Sequence, residues 1–455
     1  MADDPVSFVS PGESASASGP LRAGAATEDI TPTGSVFLYG YPHVPRSSTG
    51  VHDPLECAAL YLESGAGRTL FVAVDLIWVG KAFVETARRR IRERTGLPEE
   101  VILISATHTH SGPVTANLVS NAADPVVPPA DPGYIARCVD QIVVAAERAM
   151  KEPQLAEIGR VVAMVEGVGT NRHDPSGPTD PDVPVLVARA VETREPIGCL
   201  LVYGMHPTVM HEDSTLVSGD FPFFTRRFLR DGPLPPDCPV LYHLGAAGNQ
   251  SPRHVTRANT FAEAQRLGEL LGRSVATAMA RIDYFTSLRI VCRKVELALE
   301  PRPVPTVSAA KKQLAATLSR FEELRMQGAD RQEVRTAECD CFGAEETLEL
   351  ARAASDGRLA AARAECDPAE VQLIAIGPWR FIGWPGEFFV EYALEVKRQA
   401  PATSVITLAN GDLQGYIVTE EAVEQGVYES GNAVFAAANG RRFVTATLAL
   451  LRELD

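Results

Sequence analysis

Short runs of aliphatic and β-branched residues alternate along the chain with longer stretches whose apolar residues recur at helical spacing. Runs of strand length lie at 55–62, 69–75, 101–104, 197–203 and 240–244. Stretches with helical periodicity lie at 81–96, 134–151 and 261–281. Strands followed by helices in this way indicate an α/β domain, and we expect a layered mixed β-sheet flanked by helices.

The composition changes after about residue 300. The segments 309–328 and 344–364 are rich in Ala, Glu, Arg and Leu, which predicts two helices. The Gly-Ala-Asp stretch and the region of Cys339 between them predict the turn of a helical hairpin, which we place at about 305–366. Strand signals return at 371–376 and 380–382. We expect the hairpin to be an insertion that either covers a pocket or makes a contact in a homo-oligomer.

Charge and composition narrow the class of protein further. The 455 residues carry a net charge of −15, which argues against nucleic-acid partners and gives no polybasic patch for a membrane. No stretch approaches the roughly 20 apolar residues that span a bilayer, so we expect no membrane anchor. Residues 1–20 lack the basic start and apolar core of a secretion signal. We therefore expect a disordered tail at 1–20, one domain over 21–455 and a cytoplasmic location.

The eight cysteines are scattered along the chain without the spacing of a disulfide framework. We expect most of them to be buried thiols. Cys339 and Cys341 form a Cys-x-Cys pair, but no second pair accompanies it, so the pair alone does not predict a metal site.

Two histidines, His108 and His110, follow the predicted strand at 101–104 within the segment Thr-His-Thr-His-Ser-Gly-Pro. Residues two apart share a face of an extended chain, so both rings could point into one pocket. Ligands of open α/β sheets bind at the carboxyl ends of strands, and neutral imidazole is the commonest metal ligand. The segment is compatible with a metal site and also with two polar residues in a turn.

Other reactive side chains also follow apolar runs. His206 ends one run, Glu387 follows a Trp-Pro-Gly turn, Tyr416 follows a glycine, and Ser251 lies in Gly-Asn-Gln-Ser-Pro, which is not a nucleophile elbow. Each alone also fits a structural role, as a core histidine, a helix-start acid, a packed tyrosine or a turn residue. Together, two histidines, a glutamate and a fourth oxygen donor make a plausible set for a catalytic zinc.

At these residues the chain resembles the catalytic domain of the neutral/alkaline, non-lysosomal ceramidases, which are zinc amidohydrolases. The similarity follows the family's order from about Ala25 to about Asn432 and so covers nearly the whole chain. The matching segments are 106–113, 171–172, 206, 218–220, 248–252, 385–387 and 416–428.

The resemblance implies four zinc ligands, which are His108, His206, Glu387 and Tyr416. It also implies that metal-bound water attacks an amide carbonyl, with Glu387 able to act as the base. Tyrosine is a rare ligand, so Tyr416 could instead donate to the bound water.

The remaining family positions surround the reacting carbonyl. His110 would lie beside the metal and contact the substrate oxygen, and Arg172 and Tyr428 would flank the carbonyl. Ser251 would either position the amide or act as a nucleophile.

Two aspartates are expected to support the metal-binding histidines, since such rings give their other N–H to a carboxylate or carbonyl. Asp75 ends a strand that we expect beside the one leading to His108. Asp220 precedes Phe-Pro and could instead cap a helix that starts there.

The chain departs from the family at three points. It ends at Asp455, without the family's C-terminal immunoglobulin-like domain; it has no secretion signal; and Gln250 stands where the ceramidases usually carry an aspartate. These departures predict a small soluble N-acyl amide as the substrate rather than a long-chain ceramide, because specificity changes more readily than site chemistry.

The leading hypothesis is therefore a zinc-dependent hydrolase of a carboxamide bond. If the protein is an enzyme, the alternative reaction is ester hydrolysis or an amide-forming acyl transfer in a biosynthetic pathway. A mechanism in which Ser251 is the nucleophile is part of this alternative. If the protein is not an enzyme, the alternative is a binding protein that keeps the same pocket but does not turn over a substrate.

Overall fold

The protein is described by a computed structural model over residues 7–8, 19–41 and 43–454. Within these residues the strands are β1 (Ser7–Phe8), β2 (Leu21–Asp29), β3 (Gly50–Val51), β4 (Glu56–Ser64), β5 (Gly67–Val74), β6 (Ile102–Ala106), β7 (Gln154–Met164), β8 (Thr170–Asn171), β9 (Asp182–Ala190), β10 (Pro196–Tyr203), β11 (Leu216–Val217), β12 (Val240–Leu244), β13 (Gln250–Ser251), β14 (Tyr284–Phe285), β15 (Ile290–Leu297), β16 (Ala369–Ile376), β17 (Trp379–Gly383), β18 (Glu387–Phe388), β19 (Thr403–Ile406) and β20 (Tyr416–Ile417).

The helices over the same residues are α1 (Lys81–Thr95), α2 (Pro132–Lys151), α3 (Asp220–Arg230), α4 (Phe261–Met279), α5 (Val307–Gln327), α6 (Arg331–Asp356), α7 (Arg358–Cys366), α8 (Val390–Gln399), α9 (Glu420–Gln425), α10 (Tyr428–Asn432) and α11 (Ala438–Arg452). Among the described residues, no helix combines the length and the apolar character that crossing a bilayer requires.

Two β-sheets are stacked at the centre of the fold. The larger has the strand order β12-β10-β9-β7-β2-β4-β5-β6, with β14 paired to β7, and the smaller has the order β1-β15-β16-β17-β19. Phe71 and Leu103 of the larger sheet share one apolar cluster with Ile374 and Phe381 of the smaller. Helices α1 to α4 cover the outer face of the larger sheet, and α8 and α11 cover that of the smaller. The layers therefore run helix, sheet, sheet, helix.

The predicted α/β class and the helix-flanked mixed sheet are confirmed. Parallel pairs (β5 with β6, β10 with β12) occur beside antiparallel ones, such as β4 with β5. The second sheet was not predicted, because an apolar run marks a buried strand without indicating which sheet it joins.

The larger sheet curls until its two terminal strands come together. Ser105 on β6 lies 2.7 Å from the ring of His243 on β12, measured from Oγ to Nδ1. The segment 407–410 lies between these strands: Thr407 N donates to Leu244 O (2.8 Å) and Asn410 N donates to Ile104 O (2.8 Å). The loops that follow β6 and β12 are thereby brought to one place, although the strands are at opposite ends of the sheet order.

Helices α5 to α7 are inserted between β15 and β16, which pair antiparallel from Ile290–Ile376 to Leu297–Ala369. Gly328, with φ +65°, ends α5, and α6 begins at Arg331. The region of Cys339, which we expected in the turn, lies within α6, because the Gly-Ala-Asp stretch alone makes the reversal. The homo-oligomeric contact and the domain limits remain predictions, and most of the expected tail at 1–20 lies outside the described residues.

A buried ion pair fixes the end of β5 against α3. Both guanidinium nitrogens of Arg226 bind the carboxylate of Asp75, with NH1 2.8 Å from Oδ1, and both side chains are at most 2% exposed. Asp75 Oδ1 also accepts from Thr107 Oγ1 (3.0 Å), which precedes His108. Asp75 therefore ties the strand end that carries the histidines to the helical layer.

We predict that Asp75→Asn lowers the free energy of unfolding by about 3–5 kcal/mol, because the buried guanidinium of Arg226 loses the carboxylate that binds both of its terminal nitrogens and keeps only Glu56, at 3.6 Å. Denaturant unfolding measures the change. The matched control is Asp140→Asn, which removes a carboxylate paired to Arg90 in a solvent-exposed setting (2.6 Å). That control should cost no more than about 1 kcal/mol, and equal losses in the two variants would contradict the prediction.

Candidate metal centre and its cavity

The two histidines predicted as metal ligands are oriented by backbone carbonyls. The Nδ1 of His108 lies 2.8 Å from Ile77 O, and the Nδ1 of His206 lies 2.7 Å from Ala247 O. A carbonyl oxygen can only accept, so each Nδ1 carries the proton and each neutral ring turns an unprotonated Nε2 to the other side. His108 adopts φ +72°, a left-handed conformation that is uncommon for a residue with a side chain.

Both Nε2 atoms point at the same carboxylate. Glu387 Oε2 lies 3.2 Å from the Nε2 of His108 and 3.1 Å from that of His206, and all three residues are buried. Three acceptors facing one another repel unless a cation lies among them. Imidazole nitrogens and a carboxylate are suitable ligands for a metal ion, so the residues present fit one.

The protonation states agree with this arrangement. Burial lowers the pKa of His206 to about 4, so the ring is neutral at pH 7. Burial alone would raise the pKa of Glu387, whereas a protonated imidazole at His108 or His206 would lower it; with both rings neutral, a bound cation would have to supply that charge. The site is a neutral imidazole pair beside a carboxylate.

His110 joins the same group. Its Nε2 lies 3.3 Å from the Nε2 of His108, and the ring nitrogens of His108, His110 and His206 lie within 4.8 Å of one another. Burial, together with His108 and His206, lowers the pKa of His110 well below its usual value. A metal ion at this group would therefore lie close to His110, which the family resemblance places beside the metal.

The loop at residues 40–46 supports His110. A Cβ at Gly40, where φ is +117°, would lie only 2.4 Å from the Nδ1 of His110, so glycine is required there. The ring of Tyr41 packs against the imidazole edge to face at 5.4 Å between centroids. Arg46, which is fully buried, donates to His110 O (2.9 Å).

Tyr416 is brought to the carboxylate by a short strand pair. Glu387 and Tyr416 are directly paired in the parallel ladder of β18 and β20. Burial and the charge of Glu387 both raise the pKa of Tyr416 well above its usual value. Direct ligation by Tyr416 remains a prediction.

Arg172 and Ser251 come together through a second short ladder. β8 and β13 are antiparallel, with Thr170 paired to Ser251, and Arg172 follows directly. The guanidinium of Arg172 lies 5.4 Å from the ring of Tyr416 and is ion-paired with the buried Glu429. Burial lowers the pKa of Arg172, but Glu429 and Tyr416 raise it further, so the group is a fixed cation.

Ser251 is buried at the start of a short turn. Its Oγ accepts from Arg253 N at 3.3 Å. Among the described residues, no imidazole nitrogen is hydrogen-bonded to this hydroxyl. The side chain of Gln250, which replaces the family's aspartate, donates to Pro178 O (3.0 Å) and makes no hydrogen bond to the histidine cluster within the part of the chain that the structure describes.

Tyr428 begins α10 and lies beside Tyr416, with 6.2 Å between ring centroids. Its hydroxyl oxygen accepts from Asn432 Nδ2 (3.2 Å), and the phenolic proton is within reach of the carboxyl group of Glu346. Burial raises the pKa of Tyr428 well above its usual value, with Glu346 adding to the effect. Tyr428 is therefore a hydrogen-bond donor across the accessible pH range.

The two aspartates do not contact the histidine rings, so the expectation that they accept the ring N–H is wrong. Backbone carbonyls take that role instead. Asp75 binds Arg226, as described above. Asp220, with φ +57°, accepts from Phe221 N (2.6 Å) at the start of α3 and from Met210 N (2.9 Å), so it ties the segment after His206 to that helix. Asp220 thus binds backbone N–H groups at the start of α3, although the N-cap residue of that helix is Gly219 and no side chain caps it.

A cavity of about 380 Å³ opens beside these side chains. Of the residues predicted for the site, it is lined by His110, Arg172, His206, Ser251, Glu387, Tyr416 and Tyr428. The opposite wall includes Arg335, Cys339, Phe342 and Glu346 of α6. Of the two roles expected for the inserted helices, covering the pocket is therefore the one that the structure supports.

Several functional neighbours were not found from the sequence. Glu429 follows Tyr428 directly, but its pairing with Arg172 depends on two segments that are 257 positions apart. Arg46 is a single arginine in a Gly/Pro-rich loop, which gives no signal of burial. Phe342 and Glu346 are four residues apart on α6 and therefore lie on one face of the helix. The sequence pattern did not show this, because the helix predicted from it starts at residue 344, after Phe342.

Comparisons with known proteins agree with this geometry. Residues 21–222 match the family model described as neutral/alkaline non-lysosomal ceramidase, N-terminal. A neutral ceramidase of Mycobacterium tuberculosis is 26% identical over 224 residues, which is 44% of this chain and 34% of that protein. One of Oryza sativa subsp. japonica is 23% identical over 237 residues, covering 47% of this chain and 29% of that protein. The alignments thus span about a third of these relatives.

The fold is that of a solved neutral ceramidase from Pseudomonas aeruginosa, with a TM-score of 0.74, 19% identity and coverage of 95% of this chain and 75% of that one. A structure of a ceramidase complexed with C2 gives a TM-score of 0.71 at 17% identity, with coverage of 95% and 76%. The solved ceramidases therefore share the fold of this chain. In sequence, residues 21–222 are similar to the N-terminal part of the neutral/alkaline non-lysosomal ceramidase family, which agrees with the predicted resemblance.

We predict that His206→Ala and Glu387→Ala each weaken binding of a divalent metal by more than the roughly 10–100-fold that follows loss of a residue supporting a ligand. Calorimetric titration and elemental analysis measure the affinity and the stoichiometry. The control is His211→Ala, because His211 lines the same cavity but stacks on Tyr41 outside the cluster. Unchanged affinity in both test variants would show that the converging lone pairs do not bind a metal.

Proposed function

We propose that the protein is a zinc-dependent hydrolase that cleaves the carboxamide bond of small N-acyl compounds. The single observation that carries the proposal is the convergence of two imidazole Nε2 atoms and the Glu387 carboxylate at the end of a cavity. The similarity of residues 21–222 to the ceramidase family supports hydrolysis of an N-acyl bond. A bound zinc ion would be held by His108, His206, Glu387 and Tyr416, and would supply Lewis acidity and an activated water.

The chain's own residues would stabilise the charge that develops when water adds to the carbonyl carbon. Arg172 is a buried cation held in place by Glu429, and Tyr428 has a proton to donate. His110, a half-buried neutral ring at the metal group, would contact the carbonyl oxygen. Donors fixed in advance in a buried site stabilise such charge strongly, since they do not have to reorganise during the reaction. The C–N bond then breaks, and the amine leaves with a proton.

Glu387 would be the base that takes the proton of the attacking water if it binds the metal through one oxygen only. Beside a bound cation the carboxylate would be ionised, as a base requires. Ser251 would position the amide, because its hydroxyl accepts from Arg253 N and is not hydrogen-bonded to any described imidazole.

The cavity volume favours a small substrate. A volume of about 380 Å³ lies near the lower end of the roughly 300–1,000 Å³ typical of small-molecule sites. The wall formed by α6 limits the space opposite the metal group. We infer that short N-acyl amides fit the cavity better than a long-chain ceramide.

We expect the protein to hydrolyse short, water-soluble N-acyl amides, to lose this activity on treatment with a chelator, and to regain it when zinc is added. Release of the free amine measures turnover, with long-chain ceramide in detergent compared at equal metal loading. The Ser251→Ala variant distinguishes a serine mechanism from the metal mechanism, because it should retain turnover if the metal mechanism operates. Chelator-resistant activity that disappears in Ser251→Ala would contradict the proposal, and faster turnover of ceramide would refute the size preference.

Tyr428→Phe should lower kcat by about 10²–10³, because it removes one donor aimed at the developing oxyanion. Metal content should stay the same, since Tyr428 is not among the proposed ligands. The matched control is Tyr41→Phe, which removes a phenol from the same cavity whose hydroxyl already donates to Met210 O (3.0 Å). A loss of kcat in the control as large as that in Tyr428→Phe would assign the effect to general packing.

A further inference from the structure

Gly343 is a buried glycine in the interior of a long helix. It lies in α6, and helical residues continue on both sides of it. Glycine inside a helix is less favourable than alanine, because its backbone has more freedom to lose on folding. Its φ angle is not positive, so the backbone conformation does not require glycine here. The glycine at this position therefore needs another explanation.

A close approach to Tyr428 supplies that explanation. Outside its own helix, the three atoms nearest to a Cβ at Gly343 would all belong to Tyr428: Cδ2 at 3.1 Å, the carbonyl oxygen at 3.3 Å and Cα at 3.5 Å. The first two distances are shorter than ordinary van der Waals contact. A side chain at Gly343 would therefore displace the tyrosine by a few tenths of an ångström.

The two helices are equally close one turn further along. A Cβ at Gly431 of α10 would lie 3.0 Å from Gly343 O. The hydroxyl of Thr347 lies 2.7 Å from Gly343 O and 2.8 Å from Gly431 O, so its single proton is shared between α6 and α10. Gly431 O also accepts from Arg302 (2.9 Å). Thr347 thus ties the helix that begins with Tyr428 to α6.

Glu346 lies on the same face of α6. Residues three and four positions apart are neighbours on a helix surface, so Gly343, Glu346 and Thr347 all face α10. The carboxyl group of Glu346 is within reach of the Tyr428 hydroxyl and of Asn432. The ring, the backbone and the hydroxyl of Tyr428 are therefore each faced by a residue of the inserted helix.

We propose that Gly343 and Thr347 are positioning residues, which hold Tyr428 so that its hydroxyl is aimed at the oxygen of the reacting carbonyl. The inference rests on the proposed function, which makes Tyr428 a donor to that oxygen. It adds that the inserted helices set the geometry of a reacting group as well as forming the cavity wall. Donors act from a defined position, and a misplacement of about 1 Å can cost about 10² in rate.

Gly343→Ala is expected to lower kcat by about 10-fold, because the added methyl group displaces the phenol by a fraction of an ångström. KM and metal content should change little, and alanine favours the helix, so α6 should stay folded. The matched control is Gly272→Ala in α4, where a Cβ would lie 2.7 Å from Phe228 Cδ1 and neither residue lines the cavity. The control should lower the stability and leave kcat unchanged.

Combination with Tyr428→Phe separates positioning from general packing. That variant keeps the ring but lacks the donor, so adding Gly343→Ala to it should cause no further loss of kcat. Thr347→Val should lower kcat and Thr347→Ser should retain it, while Thr277→Val, which removes a hydroxyl bonded to Arg273 O within its own helix (2.8 Å), should have no effect. A full loss from Gly343→Ala in the presence of Tyr428→Phe overturns the proposal, as does unchanged kcat in both Gly343→Ala and Thr347→Val.

Binding of a short alkylphosphonate, a tetrahedral anion that resembles the adduct of water and carbonyl, gives a measurement independent of turnover. Calorimetry on the zinc-loaded full chain should show several-fold weaker binding for Gly343→Ala than for the unmodified protein. Tyr428→Phe should bind equally with and without Gly343→Ala. This pattern in a protein that cleaves no N-acyl amide would support the positioning and refute the proposed function. Amide cleavage with phosphonate binding that is insensitive to both substitutions would refute the positioning alone.

Discussion

The convergence of lone pairs at one point is the constraint on which the rest of the site depends. Because the carbonyls of Ile77 and Ala247 take the Nδ1 protons, both imidazoles present unprotonated nitrogens to the Glu387 carboxylate. Such an arrangement is repulsive in the free chain, and the surrounding structure has to hold it in place. A bound cation would convert the same repulsion into attraction, so metal binding would stabilise the fold.

The curl of the larger sheet brings the segments that carry and orient these histidines close together. His108 follows β6, and the carbonyls that orient His206 follow β12, at the two ends of the strand order. The backbone segment 407–410 bonds to both terminal strands and closes the gap between them. The distance between the two rings is thus set by backbone hydrogen bonds, which resist displacement more than side-chain packing does.

Sequence patterns predicted the elements that carry the site but not how they meet. The strand before His108 was predictable because a short apolar run ends at a polar segment, and the family resemblance identified His206, Glu387 and Tyr428. The carbonyl partners of the rings were not predictable, since every residue has a carbonyl and only the folded backbone selects one. The start of α6 was misplaced, because Cys and Asp have weak helix propensity that tertiary contacts override. The pairing of Arg172 with Glu429 depends on long-range topology and leaves no local signal.

Helix α6 reaches the cavity from a connection between two strands that are already paired along their whole length. The register from Ile290–Ile376 to Leu297–Ala369 closes that connection at its base, and the metal group lies on other segments. Lengthening or replacing a loop with fixed ends costs little free energy, because closure entropy grows slowly with length. The cavity wall is therefore a replaceable segment: evolution or engineering can substitute it to retarget the pocket without moving the histidines, provided that the contact between Thr347 of α6 and Gly431 O of α10, which positions Tyr428, is kept.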